Sequence, residues 1–226
     1  MSTTAPPDSH RVSRSPRAAL VDYGAGNLRS VGKALERSGF EVLVTSSRAE
    51  IEVADAVVLP GVGAFADAVQ TLRAAGLDDA VRKTIEAGRP YLGLGFGLQL
   101  LFEEGDEHGP TEGFGILPGR VERFPDVATD GSPLIVPHIG WNEVSFAGDH
   151  PMLAHLPASD HFYFVHSYRP VTEDASIVVG TSEYGGYRFT CAVARGSIFA
   201  VQFHPEKSQA AGKRLLDGFR DWVDES

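Results

Sequence analysis

Near the end of the chain, QFHPEKS (Gln202–Ser208) sets His204 and Glu206 on either side of Pro205. A histidine held by a carboxylate is a general-base pair, because the carboxylate fixes the tautomer and orientation of the imidazole. The same spacing suits a surface turn with an incidental His and Glu, and the turn alone does not decide between them. A second segment, LGLGFGLQ (Leu92–Gln99), carries Gly93-Leu94-Gly95-Phe96-Gly97 after an apolar run. Its spacing is that of a nucleophile elbow, G-x-nucleophile-x-G, in which a strained central residue projects into a site and flanking glycines prevent clashes. Here the central residue is Gly95, which has no side chain to attack with. As a dinucleotide fingerprint the segment fails: G-x-G-x-x-G requires glycine where Leu98 stands, and no strong acidic candidate follows at the expected distance.

Two further Gly-rich turns, DYGAGN (Asp22–Asn27) and LPGVGAF (Leu59–Phe65), also follow apolar runs. Glycine there lets backbone N–H groups approach a ligand and form an anion-binding nest. Each reads equally as an ordinary strand-to-helix turn, but three in succession point to one sheet edge, where α/β folds place ligands. HIGWNEV (His138–Val144) and HFYFVHSY (His161–Tyr168) combine aromatics with His and Asn, and most of these positions read as strand residues packed by aromatics. Asp160, His161 and His166 lack metal-cage spacing. Cys191, in FTCAVA, shares its parity with Phe189 and Val193 and reads as a buried, inert thiol.

The elements that position these segments alternate in the first half. AALVDY is a short apolar run, followed by a helix from Leu28 to about Ser38 and a strand from Phe40 to Thr45. Asp55–Gly61 is a strand, followed by a helical stretch through Gly76 and another from Leu77 to about Ala87. RPYLGLG is a buried strand and GLQLLFEE a helix. Apolar runs of this length between helical segments imply a parallel sheet covered on both faces. After Gly105, GRVERF, PLIVPHIGW, HFYFVHSY, ASIVVGTSEY, YRFTCAVARG and SIFAVQFH are short and strand-like, ARGS (Ala194–Ser197) is a hairpin turn, and a helix runs from about Ser208 to Val223. The predicted fold class is α/β: one domain over residues 18–224, with a mostly parallel central sheet flanked by helices and additional antiparallel strands in the C-terminal half.

Residues 1–17, rich in Ser, Thr, Pro and Arg and nearly free of aliphatics, read as a disordered tail. It has no apolar core of a secretory signal; Arg and Ser suit an organelle transit segment, but it is short and carries Asp8. The default expectation is a cytoplasmic protein. The 226 residues carry 20 Lys+Arg against 30 Asp+Glu, a formal net charge of −10, which argues against non-specific binding to nucleic acid or anionic membranes. No apolar run approaches the ~18 residues of a membrane span. A single cysteine excludes an internal disulfide framework and a multi-cysteine metal site.

Taken together, VDYGAGNLRSV, LPGVGAF, HIGWNEV, YFVHSY and QFHPEKS, in this order, resemble the glutaminase subunits of imidazole glycerol phosphate synthase, which are class I glutamine amidotransferases. The resemblance covers about Ala18 to Val223. QFHPEKS is shared by many class I amidotransferases, whereas DYGAGNL and HIGWN are more specific to the histidine-pathway subunits. The resemblance implies hydrolysis of glutamine to glutamate and ammonia, with the ammonia passing to a (β/α)₈ cyclase subunit in a heterodimer. It implies a Cys–His–Glu triad with His204 and Glu206 in the last two places, no cofactor and no metal. The nucleophilic Cys is expected where Gly95 stands, and glycine cannot form the glutamyl thioester. By the same resemblance, backbone groups of Gly61, Val62, Gly63 and Phe96 form an oxyanion hole. Gln99, His166, Ser167 and Tyr168 hold glutamine, and Asn27, His138, Trp141, Asn142 and Lys207 face the cyclase. The alternative is a non-catalytic module that binds phosphate or a nucleotide at the LGLGFG turn. It accounts for Gly95 and leaves the His204–Glu206 turn unexplained.

Overall fold

The protein is described here by a computed structural model covering residues 14–226. Strands β1 (Arg17–Val21), β2 (Glu41–Thr45), β3 (Ala56–Leu59) and β4 (Tyr91–Leu94) alternate with helices α1 (Leu28–Arg37), α2 (Arg48–Val53), α3 (Phe65–Ala75), α4 (Leu77–Glu86) and the single-turn α5 (Phe96–Gln99). There follow β5 (Glu104–Gly105), β6 (Thr111–Glu112), β7 (Arg120–Arg123), β8 (His138–Phe146) and β9 (Ser159–His166). Strands β10 (Tyr168–Val171), β11 (Val178–Tyr184), β12 (Tyr187–Arg195) and β13 (Ile198–Val201) and helix α6 (Gln209–Glu225) complete the chain.

Nine strands form one sheet in the order β2-β1-β3-β4-β13-β12-β11-β8-β9, and four form a second, β10-β7-β5-β6. From β2 to β13 the pairing is parallel. From β13 to β9 it is antiparallel. Every residue of β3, β4 and β13 is buried, as expected of strands covered on both faces. Along β1 the side chains alternate between two cores: Ala18 and Leu20 pack with α1 and α6 (Leu35, Phe219), Ala19 and Val21 with α3 and α4 (Leu72, Val81).

Local chemistry explains the element ends. The Asn27 side chain accepts the Ser30 N–H at the start of α1. Gly76, left-handed, stops α3. Gly196 turns the β12–β13 hairpin, closed by the Arg195–Ile198 pair. Four expectations need adjusting. Arg17, assigned to the tail, begins β1, and Arg14, three residues before it, pairs with Asp55; residues 1–13 of the tail lie outside the described residues. Helix α2 has no counterpart in the sequence reading. The PLIVP half of PLIVPHIGW is not regular strand, because Pro133 and Pro137 have no N–H for a ladder. The helix expected over GLQLLFEE stops at Gln99, since the carbonyls of Leu100, Leu101 and Phe102 turn to accept N–H groups from Phe114 to Leu117.

Candidate active site

Strands β4 and β13 are adjacent and parallel, with Leu94 opposite Val201. The segments that follow them, Gly95–Gly97 and Gln202–Glu206, therefore leave the sheet side by side at its carboxyl edge, and the Gly95 N–H donates to the Val201 carbonyl at 2.8 Å. The elbow is held by close packing. A Cβ on Gly97 would overlap the Leu59 carbonyl, and one on Gly93 would come within 2.5 Å of the Gly97 carbonyl oxygen.

Gly95 differs from its flanking glycines. Its backbone takes φ +57° and ψ −105°, a conformation that strains any residue with a side chain. The space beside it is nonetheless suited to one. A Cβ there would lie 3.8 Å from His204 Cε1 and 3.9 Å from His204 Nε2. It would also be 3.2 Å from the Gly61 carbonyl oxygen. Position 95 thus aims at the imidazole.

The imidazole is fixed from behind. His204 Nδ1 lies 3.0 Å from Glu206 Oε1, with both side chains nearly inaccessible at 9% and 2% exposure. A carboxylate only accepts, so Nδ1 carries the proton and Nε2, toward position 95, is the free base. The His204 N–H donates to the Tyr163 carbonyl, and the His204 carbonyl accepts the Ser208 hydroxyl at 2.6 Å, which ties the turn to β9 and α6.

These groups open into a cavity of about 280 Å³. Its lining brings together Gly61, Val62, Gly63, Gly95, Phe96 and His204 with Gln99, His166, Ser167 and Tyr168. Four residues that sequence reasoning missed join them: Glu107, Pro137, Val165 and Gln202. Gln202 stands two positions before His204, a spacing that could have suggested it; Glu107 comes from a loop with no motif. The Glu107 carboxylate accepts the Phe65 N–H at 2.6 Å and brings negative charge to the wall. Gln99 is buried, its amide donating to Gln202 Oε1 at 3.0 Å and to the Tyr168 carbonyl at 3.2 Å.

The first residue of α5, Phe96, has an N–H with no intrahelical acceptor. At Gly61–Gly63 it is the Gly61 carbonyl oxygen that stands nearest position 95. Since a trans peptide points its C=O and N–H in opposite directions, the Val62 N–H faces away from that position. Helix α5 is one turn long and offers little aligned dipole for a phosphate.

Of the residues expected on a partner face, Asn27 and Lys207 are exposed, Trp141 is 47% exposed and Asn142 is half-buried. Lys207 Nζ sits 5.5 Å from the Tyr163 ring, and Tyr163 meets Trp141 edge-on. Ile139 and Trp141 lie opposite Val165 and Tyr163 in the β8–β9 pair, so this face runs to the cavity wall. His138 departs from the expectation. It is buried beneath that face, because its side chain points to the other side of β8 from Ile139, with its ring stacked on Phe164 and Tyr184. Cys191 is fully buried on β12 outside the cavity, and burial pushes its thiol well above the ordinary range. Among the described residues no cluster of three or more His, Cys, Asp or Glu is placed to hold a metal ion, and no helix is long and apolar enough to cross a membrane.

Known structures share this architecture. PurLQS from Thermotoga maritima superposes with a TM-score of 0.68 at 20% identity, over 93% of this chain and 100% of that one. The glutaminase domain of Trypanosoma brucei CTPS gives 0.66 at 17% identity, over 94% and 95%. Much closer in sequence are two proteins named imidazole glycerol phosphate synthase subunit HisH. That of Aromatoleum aromaticum is 52% identical over 210 residues, 91% of this chain and 98% of its own length. That of Syntrophotalea carbinolica is 48% identical over 203 residues, 89% and 98%. The model of glutamine amidotransferase class-I matches residues 19–221. With an elbow and a His–Glu pair at the carboxyl edge of its sheet and this match along nearly its whole length, the chain belongs to the class I glutamine amidotransferase family.

Proposed function

We propose that this chain is the glutamine-binding subunit of an imidazole glycerol phosphate synthase in histidine biosynthesis, and that its own amide hydrolysis is disabled at position 95. The observation that carries the reading is the direction of that position: a Cβ there faces His204 Nε2 at 3.9 Å, while the residue itself is Gly95. Acyl transfer in this family needs a thiolate that attacks the glutamine carboxamide, forms a glutamyl thioester and releases ammonia. His204, oriented by Glu206, is placed to accept the thiol proton and later to activate water. Without the thiol, the remaining groups bind and polarise glutamine but form no acyl-enzyme.

The cavity suits the substrate. Glu107 offers a carboxylate to an ammonium group, and Gln99, Ser167 and Tyr168 offer polar atoms in the same lining. The outward face of Ile139, Trp141, Tyr163 and Lys207, with Asn27, is the docking surface for a (β/α)₈ cyclase subunit in a heterodimer. An apolar patch rimmed by polar residues is what a stable partner covers. The Phe96 N–H serves as one oxyanion donor, and rotation of the Gly61–Val62 peptide supplies Val62 N–H as the second. A biosynthetic role of this kind fits a cytoplasmic enzyme.

The test is glutaminase activity of this chain and of Gly95→Cys in parallel, each with the cyclase subunit and its nucleotide ligand. Silence from the first and turnover from the second is the expected result. Turnover from both would overturn the mechanism, and silence from both would mean that the site lacks more than its nucleophile.

A further inference from the structure

His138 and His166 face each other across the β8–β9 pair, and both are buried. Their hydrogen bonds have one consistent direction. His166 Nδ1 lies 2.8 Å from the Tyr168 carbonyl, which only accepts, so Nδ1 carries the proton and Nε2 is an acceptor. His138 Nδ1 lies 3.0 Å from that Nε2 and must therefore donate to it. His138 Nε2 is then an acceptor, and the Asn142 amide nitrogen faces it at 3.4 Å. Asn142 is itself oriented: its oxygen accepts the Glu143 N–H and its nitrogen donates to the Glu183 carbonyl at 2.7 Å. The chain ends on the Tyr168 carbonyl, which also accepts the Gln99 amide. That carbonyl is thus gripped from both sides where Ser167 and Tyr168 line the cavity.

We propose that His138 is a positioning residue for the substrate wall: its Nδ1–H pairs with His166 Nε2 and fixes the ring whose Nδ1–H holds the Tyr168 carbonyl, and so sets Ser167 and Tyr168 for the ligand. The proposal deepens the glutamine reading and rests on it for the identity of the ligand. The family resemblance placed His138 on a partner face; its burial and its hydrogen bonds place it under the cavity wall instead. Asn142 begins the chain beside Trp141, so the network runs from beneath the outward face to the cavity.

Two substitutions separate positioning from packing. His138→Phe keeps a ring between Phe164 and Tyr184 and removes the donor. His138→Asn loses the ring and keeps an amide N–H near the place of Nδ1. Positioning ranks Asn above Phe, whereas packing alone ranks Phe above Asn. Calorimetry with glutamine on the full chain is expected to show binding weakened about tenfold in His138→Phe and by no more than about threefold in His138→Asn, because only the former strands a buried acceptor. Two-bond ¹H–¹⁵N imidazole spectra are expected to show His166 in the Nδ1–H form in all three chains, with its Nε2 resonance shifted to that of an acceptor without a donor in His138→Phe and not in His138→Asn. The reverse ranking in affinity, or an Nε2–H His166 in the unsubstituted chain, overturns the proposal. If the unsubstituted chain binds no glutamine, the glutamine reading fails instead, and the spectra alone decide the role of His138.

Discussion

The turns after β4 and β13 leave adjacent strands and face each other across one cavity, yet they preserve different things. The turn after β13 holds a side-chain pair: the His204 and Glu206 side chains are buried and paired at 3.0 Å, and His204 Nε2 faces position 95. The elbow after β4 keeps its backbone and has Gly95, without a side chain, at its centre. Its shape is held by the close approach of Gly93 and Gly97 to neighbouring carbonyls and by the register with Val201. The contrast teaches that an elbow is a property of its flanks and its sheet, whereas a histidine–carboxylate pair is a property of the side chains themselves.

Four measurements break or sharpen that contrast. The largest effect expected is on turnover: Gly95→Cys, assayed with the cyclase subunit, should gain at least about a thousandfold in glutamine hydrolysis. A smaller gain would show that the frame is no longer that of a working elbow. Next, Gly97→Ala should cost about 4 kcal/mol or more and sharply lower soluble yield, because its Cβ would overlap the Leu59 carbonyl. Ordinary stability in denaturant titration would refute the view that the flanks hold the turn.

Third, Gly95→Cys should lower unfolding free energy by about 1–3 kcal/mol even as it restores activity, since φ +57° strains a side chain and the Gly61 carbonyl stands close. A stabilised variant would contradict the strained-elbow assignment. The smallest effect concerns the other wall. Burial holds His138 down to about 4 and His166 down to about 3, against an ordinary 6.5. As pH falls below about 6.5 the unfolded chain takes up protons that the folded chain refuses. Stability is therefore complete above that pH and declines below it, by up to about 1.4 kcal/mol per pH unit for each histidine. His138→Phe should make the decline between pH 6.5 and 5 shallower, as read by urea titration, and an unchanged slope would mean that His138 is not buried neutral.

Much of this was legible in the sequence because the relevant signals are local. The alternation of apolar runs and helices gives β1 to β4 and the helices between them except α2, and the His–Pro–Glu turn and the G-x-G-x-G spacing lie within a few residues each. What was not legible is set at long range. The run from Leu98 to Phe102 is buried all round, so it has no apolar face to mark where a helix ends. Its fate is decided by N–H groups from residues 114–117. The Gln99–Gln202 contact joins positions far apart in the chain, and Glu107 enters the cavity from a loop. The His138–His166 pair depends on the β8–β9 register, which no single segment encodes.

The unusual backbone at position 95 has a consequence for how such a site persists through mutation. Folding is served best there by glycine, which adopts the conformation without strain and leaves the Gly61 carbonyl untouched. Turnover, on the function proposed above, is served only by a residue that folding disfavours. The two pressures oppose each other at a single codon, so a side chain survives at that codon only while its chemistry is being selected. Once selection on turnover lapses, stability alone carries the position to glycine and holds it there.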